Sequence, residues 1–157
     1  MKIVFLDVDN VLNSSAWFRK QPTPRRFSVD PNCCNRVMKI CDESKAIVVV
    51  SSSWRLRMKP RQLVNHLTAG GLRGDVIFGL TPRLLPHTLL GAMEEAPRGM
   101  EISEWLKKAK EKRMNLEKFV ILDDKDDMYG LEDHLVQTSG EVGISDADVD
   151  AAILHLT

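Results

Sequence analysis

Cysteine, histidine and net charge are all in short supply in this chain of 157 residues, and each shortage closes a route. Its three cysteines, Cys33, Cys34 and Cys41, are odd in number and two are adjacent, which gives no basis for a disulfide framework. A zinc site would need a fourth ligand, and no histidine lies near them in sequence. In a helix from Pro31 to Asp42, Cys34, Val37, Met38 and Cys41 recur at i, i+3, i+4 and i+7, so the thiols are expected in the core. The four histidines, His66, His87, His134 and His155, show no ligand spacing. Acids and bases balance at 22 each, so no global field draws the chain to nucleic acid or to a membrane, although local patches can act on their own. Apolar runs are short: Met1 to Asp7 reaches an acid too soon for a signal peptide or a membrane span, and a cytoplasmic location is the default expectation.

What the chain does have is 43% hydrophobic and 28% charged residues, enough to bury one core. No repeat, low-complexity tract or linker divides it, so residues 1–157 are expected to form a single domain. Short apolar runs alternate with helical patterns. Strands are expected at Lys2–Leu6, Ala46–Val50, Asp75–Phe78, Phe119–Leu122 and His134–Thr138. Helices are expected over 31–42, over 60–69 with Gly70-Gly71 as the stop, over 100–112 with Ile102, Trp105, Leu106 and Ala109 on one face, and over 145–156 behind Ser145 as N-cap. This alternation, with near-continuous apolar strands, predicts an α/β fold with a parallel sheet covered on both faces. Two stretches, 13–30 and 79–98, read as irregular, and loops of that length are usually functional or mobile.

In such a sheet, ligands bind beyond the carboxyl ends of the strands, and three of those ends are polar. Asp7 and Asp9 follow the first strand, Ser51-Ser52-Ser53 the second, and Asp123-Asp124 the strand Val120-Ile121-Leu122. The i, i+2 spacing of Asp7 and Asp9 puts both on one side of an extended backbone. Two carboxylates about 4 Å apart repel by roughly 4 kcal/mol at an effective dielectric near 20, so a dense cluster needs a cation or a shared proton. All-oxygen ligands favour Mg²⁺ over zinc. A carboxylate beside Mg²⁺ can attack phosphorus, which would make Asp7 the nucleophile and Asp9 the proton carrier. Ser51 would then hydrogen-bond the phosphoryl oxygens, with a cationic side chain stabilising the transition state.

These residues resemble the haloacid dehalogenase (HAD) superfamily of phosphohydrolases: FLDVDNVLN is similar to its first motif, VVVSSSWR to its second and VILDDKDD to its fourth. Within it, the chain most resembles the small domain of bacterial "Swiss army knife" RNA-repair proteins. That resemblance rests on SSSWR, Thr81-Pro82, RGMEISEWL, and VILDD followed by a strand and Gly143, and it spans Lys2 to about Ile144. It implies a Rossmann-like HAD-type sheet with the first strand central between the second and fourth, and little or no cap. It also implies Asp7 as nucleophile and metal ligand, Asp9 as acid/base lending its carbonyl to the metal, Ser51 as phosphate-binding hydroxyl, and Asp123-Asp124 as the acidic metal motif, Asp124 being the favoured ligand with Asp123 supporting it.

There are two departures from the pattern. Asn10 stands where the family usually has Gly, and Asn tolerates left-handed backbone better than most residues. The third motif normally supplies a Lys; here Arg98 is the first choice, because its planar fork suits phosphate, and Lys107 is the reserve. Ser52, in the serine triplet that reads as a phosphate cradle, and Arg55, just past it, are expected on the substrate side. Arg55, Arg57, Lys59 and Arg61, and Arg19, Lys20, Arg25 and Arg26, form basic runs that suit either a solvated face or a phosphate-rich partner. Trp54 reads as packing rather than stacking on substrate, and Asp126 and Asp127 fit an outer ligand or a helix N-terminus equally well.

The expected partner is a phosphorylated substrate, with a nucleic acid 3′ end favoured by the open site and the resemblance. A small phosphate ester is the alternative, and gains if the irregular stretches form a lid. A non-catalytic phosphate or nucleic-acid-binding module would have no need of Asp9. A phosphorylated signalling receiver would place its acceptor Asp at the end of a later strand, where Ser51 stands here.

Overall fold

The computed structural model describes residues 1–23, 25–84 and 95–157. Pro24 and residues 85–94 of the second irregular stretch, including Pro86 and His87, lie outside the described residues, and so does that part of any lid over the site. Five strands, β1 (Lys2–Leu6), β2 (Ala46–Val50), β3 (Ile77–Leu80), β4 (Lys118–Asp123) and β5 (Leu135–Gln137), form one all-parallel sheet in the order β3-β2-β1-β4-β5. The first strand is central, as expected. Each buried strand alternates faces: Val4, Leu6, Val48, Val50, Val120 and Leu122 face one core, and Ile3, Phe5, Val49 and Ile121 face the other.

Helices α1 (Ser15–Lys20), α2 (Pro31–Ser44), α3 (Pro60–Gly70), α4 (Arg98–Glu111) and α5 (Asp146–Leu156) complete the fold. The step from β1 through α2 to β2, and from β2 through α3 to β3, runs in one direction along the sheet. The return through α4 to β4 runs in the other. Because such crossovers are right-handed, α2 and α3 cover one face and α4 the opposite one. α5 joins α2 on the larger core. Beneath α4, Phe5 meets Trp105 and Phe119 edge-to-face at 5.3 and 5.7 Å, an arrangement in which each aromatic pair adds about 1 kcal/mol beyond its buried area.

Three expectations are corrected. The stretch 13–30 is not wholly irregular: α1 occupies it, with the Ser14 hydroxyl accepting from Trp17 N at 3.1 Å. Six residues with none buried leave no periodicity to detect. The third strand lies at 77–80 rather than 75–78, because Gly74–Val76 forms a 3₁₀ turn. α4 starts at Arg98, two residues before the expected Met100. α3 does stop at its glycines, with Gly71 at φ 120°.

The cysteines lie in α2 as free, buried thiols, and burial pushes Cys33 up to about 11 and Cys34 and Cys41 up to about 12. Trp54 is also buried, packed edge-on against Phe27. Among the described residues, no helix is long and apolar enough to cross a membrane, and no cap domain stands over the sheet.

The start of α4 is pinned from behind by the loop after β4. Gly99 N donates to Asp127 O at 3.0 Å, and a Cβ on Gly99 would stand 1.8 Å from the Met128 carbonyl oxygen. Gly99→Ala must therefore separate helix and loop. The expected cost is about 3 kcal/mol, seen as a thermal midpoint lowered by roughly 5–15 °C; an unchanged midpoint would contradict this packing.

Candidate active site

The backbone ladder runs on by one residue past the carboxyl ends of β1, β2, β3 and β5, to the level of Asp123 at the end of β4. Thr81 N donates to Val50 O (3.0 Å), Ser51 N to Leu6 O (2.8 Å), Asp7 N to Leu122 O (3.0 Å) and Thr138 N to Asp123 O (2.9 Å). Thr81, Ser51, Asp7, Asp123 and Thr138 therefore stand side by side along one edge, all buried. Asp7 and Asp123 flank the point where the strand order reverses, which is where open α/β sheets form their crevice.

Carboxylate oxygens of Asp7, Asp123 and Asp124 all lie within 4.8 Å of one another. Burial raises the pKa of Asp7, with Asp124 adding to it, although Arg98, the Val8 amide and the Ser52 hydroxyl pull it back. Burial, then the charge of Asp7, raises Asp123 to about 7. Such a set of hard oxygen donors, crowded against its own repulsion, fits a hard divalent cation such as Mg²⁺.

The cation that the protein itself supplies is Arg98. It is buried, its Nε donates to Asp123 Oδ2 at 3.0 Å, and its Nη2 lies 3.6 Å from Asp7 Oδ1. Burial works against its charge, but Asp7, Asp123 and Glu101 outweigh that and raise its pKa. Its place depends on backbone: Arg98 N donates to Asp127 Oδ2 at 3.0 Å, so Asp127 serves the N-terminus of α4. Lys107 is not brought to the site. It is exposed on α4 more than two turns away, about 13 Å down the axis.

Asp9 departs from the extended geometry expected of it. The strand ends at Leu6, and Val11 N and Leu12 N donate back to Val8 O, so the chain turns at Asp9 and leaves it exposed while Asp7 is buried. Its Oδ1 accepts from Asn13 Nδ2 at 3.0 Å, and Asn13 Nδ2 also reaches Ser28 O. Asn10 holds the left-handed turn at φ 64° and does more besides: its Nδ2 donates to Asp124 Oδ2 at 2.9 Å, and its carbonyl accepts from Thr138 Oγ1 at 2.8 Å.

Ser51 is buried, and its Oγ accepts from Thr81 Oγ1 at 3.2 Å. Ser52 caps a 3₁₀ turn, Ser53–Leu56, by accepting from Trp54 N. Arg55, expected on the substrate side, has its side chain largely buried in an ion pair with Glu101. Of the other basic residues, Arg19 pairs with Glu141, while Arg25, Lys59 and Arg61 are exposed.

Sequence reasoning missed Asn13, Thr81, Thr138, Glu101 and the link from Asn10 to Asp124. Thr81 and Thr138 carry the signal that found Ser51, a polar residue one step past a strand, but the strand ends were misjudged by a residue or two.

A family model described as the HAD domain in Swiss Army Knife RNA repair proteins matches residues 3–149 of the 157. No curated protein and no solved structure matches the chain.

The charge on Asp123 has a testable sign. Its pKa rises from 3.8 to about 7 on folding, so its contribution to stability is full below the unfolded value and is lost as pH rises toward 7. Asp123→Asn cannot ionise. In chelator, the wild-type thermal midpoint should fall relative to that of Asp123→Asn by roughly several degrees between pH 4.5 and 7.5; parallel curves would contradict the shift.

Proposed function

The chain belongs to the family of HAD domains in Swiss Army Knife RNA repair proteins, and from that premise we propose that it is a Mg²⁺-dependent phosphomonoesterase acting through an aspartyl phosphate. The observation that carries this reading is the cluster of buried Asp7 and Asp123 with half-buried Asp124, and Arg98 set between the two buried members.

Asp7 attacks the phosphorus of the ester, forming the aspartyl-phosphate bond as the bond to the leaving oxygen breaks. Asp9 gives its proton to that oxygen. It then takes a proton from the water that attacks the phosphoryl group, freeing Asp7 and inorganic phosphate. The exposure of Asp9 suits this role, since its proton must come from and return to solvent, and Asn13 holds the carboxylate in place. Ser51 and Thr81 offer paired hydroxyls to the phosphoryl oxygens, and Arg98 offsets their growing charge.

Asp7, Asp124 and the Asp9 carbonyl would hold the ion. Asp123 has both oxygens engaged, by Lys125 N and Arg98 Nε, whereas Asp124 is held through one by Asn10, which supports Asp124 as ligand and Asp123 behind it. When bound, Mg²⁺ supplies positive charge that offsets repulsion between an anionic nucleophile and an anionic phosphoryl group.

As substrate we propose the 3′-phosphorylated end of a polynucleotide. What supports this is that no cap covers the sheet among the described residues, which suits a phosphate carried on a large molecule, and that the family is one of RNA repair proteins. The basic runs support this less than their sequence does, because Arg19 and Arg55 are each paired with an acid.

The assay is phosphate release from a 3′-phosphorylated oligonucleotide with Mg²⁺. Asp7→Asn should lower it at least about 1,000-fold, Arg98→Ala roughly 100-fold or more, and Lys107→Ala less than about two-fold. Activity on mononucleotides with none on oligonucleotides would sink the substrate; release that does not depend on Asp7 would sink the mechanism. Asn10→Gly keeps the turn and deletes the bond to Asp124, so the protein should fold normally and need roughly tenfold more Mg²⁺ for half-maximal activity.

A further inference from the structure

The ion pair between Arg55 and Glu101 has no part in the chemistry above, yet it joins the two elements that frame it. Arg55 lies in the 3₁₀ turn directly after Ser51 and Ser52, and Glu101 lies on α4 one turn past Arg98. Arg55 Nη2 donates to Glu101 Oε2, and the two side chains are only 6% and 4% exposed. Arg55 Nη1 also donates to the Ser52 carbonyl at 2.8 Å, and Glu101 Oε2 accepts from Leu84 N at 3.3 Å. Arg55 Nε is buried with no partner among the described residues.

Stability alone does not account for this arrangement. Taking two charges out of water costs about as much as their attraction returns, so an apolar pair of similar size would hold the turn against α4 equally well or better. The unpartnered Nε adds to the cost. What an apolar pair lacks is direction: a planar guanidinium bonded at once to a carboxylate and to the Ser52 carbonyl fixes the turn in both distance and orientation. α4 thus reaches both ways within one turn, with Arg98 toward Asp7 and Asp123 and Glu101 toward the serine cradle.

We infer that Arg55 and Glu101 are a positioning pair that sets the serine cradle of Ser51 and Ser52 against the Arg98 cation, and that Arg55 is not itself a phosphate ligand. The kinetic side of this inference rests on the phosphomonoesterase reading.

The test uses the full chain with Mg²⁺, p-nitrophenyl phosphate and a 3′-phosphorylated oligonucleotide, comparing wild type with Glu101→Gln, Arg55→Lys, and the apolar double variant Arg55→Met with Glu101→Leu. The apolar double variant should melt at or above the wild-type temperature and yet lose roughly tenfold or more in kcat, with KM little changed. Glu101→Gln should show the same kcat loss even though it keeps Arg55, and Arg55→Lys should restore only part of it. Full kcat in the apolar double variant would reduce the pair to packing and overturn the inference. So would a Glu101→Gln protein of wild-type kcat beside Arg55 variants whose KM rises, which is the behaviour of a direct ligand. Calorimetric binding of orthovanadate, which mimics the five-coordinate phosphorus, gives a readout without turnover and should weaken in parallel with kcat. If wild type releases phosphate from neither substrate, the phosphomonoesterase reading fails by itself; vanadate affinity equal in wild type and Glu101→Gln then decides against the pair.

Discussion

Like charges brought together by a backbone ladder are the constraint around which this molecule is organised. The hydrogen bond that carries β1 one residue past its end and the pairing of Asp123 as the last residue of β4 leave Asp7 and Asp123 no other place to go, and Asp124 follows by chain connectivity. At such separations the repulsion is worth several kcal/mol, comparable to the net stability of a whole domain. Arg98 is the buried counter-charge, and its position is set by features remote from the chemistry. The reversal of the crossover direction sends α4 to the far face, the glycine behind Arg98 lets the helix touch the backbone of the 126–128 loop, and Asp127 anchors its first amide.

Where a functional residue depends on local chain geometry, the sequence discloses it. An apolar run followed by an acid or a serine marks a strand end whatever the rest of the chain does, so Asp7, Ser51 and Asp123 could be picked out, whereas the central place of β1 comes from the family resemblance and not from the strand-helix alternation. Asn10 was legible for the same reason, since a left-handed turn is a property of one residue and its neighbours. Arg98 is preferred to Lys107 for its planar fork at the mouth of a helix, and the helix in fact begins with it.

Residues whose role is set by a distant partner could not be read in this way. Arg55 looked like part of a basic surface run, and nothing near it in sequence announces Glu101, which arrives from another layer of the fold. The bond from Asn10 to Asp124 likewise spans most of the chain. The geometry expected of Asp9 failed for a different reason: the i, i+2 rule holds on a strand, and the strand stops at Leu6, three residues before Asp9, so the pair splits into one buried and one exposed carboxylate.

The carboxylate cluster takes up one end of the sheet, and the larger core on one of its faces holds the three thiols of α2. Because reaction with an alkylating reagent proceeds through the thiolate, side chains pushed up to about 11 and about 12 present at neutral pH at most roughly one reactive sulfur in ten thousand, and that one is sealed in the core. In the closed molecule these sulfurs are silent. A reagent reaches them only when α2 parts from the sheet, so their labelling reports the opening of that layer.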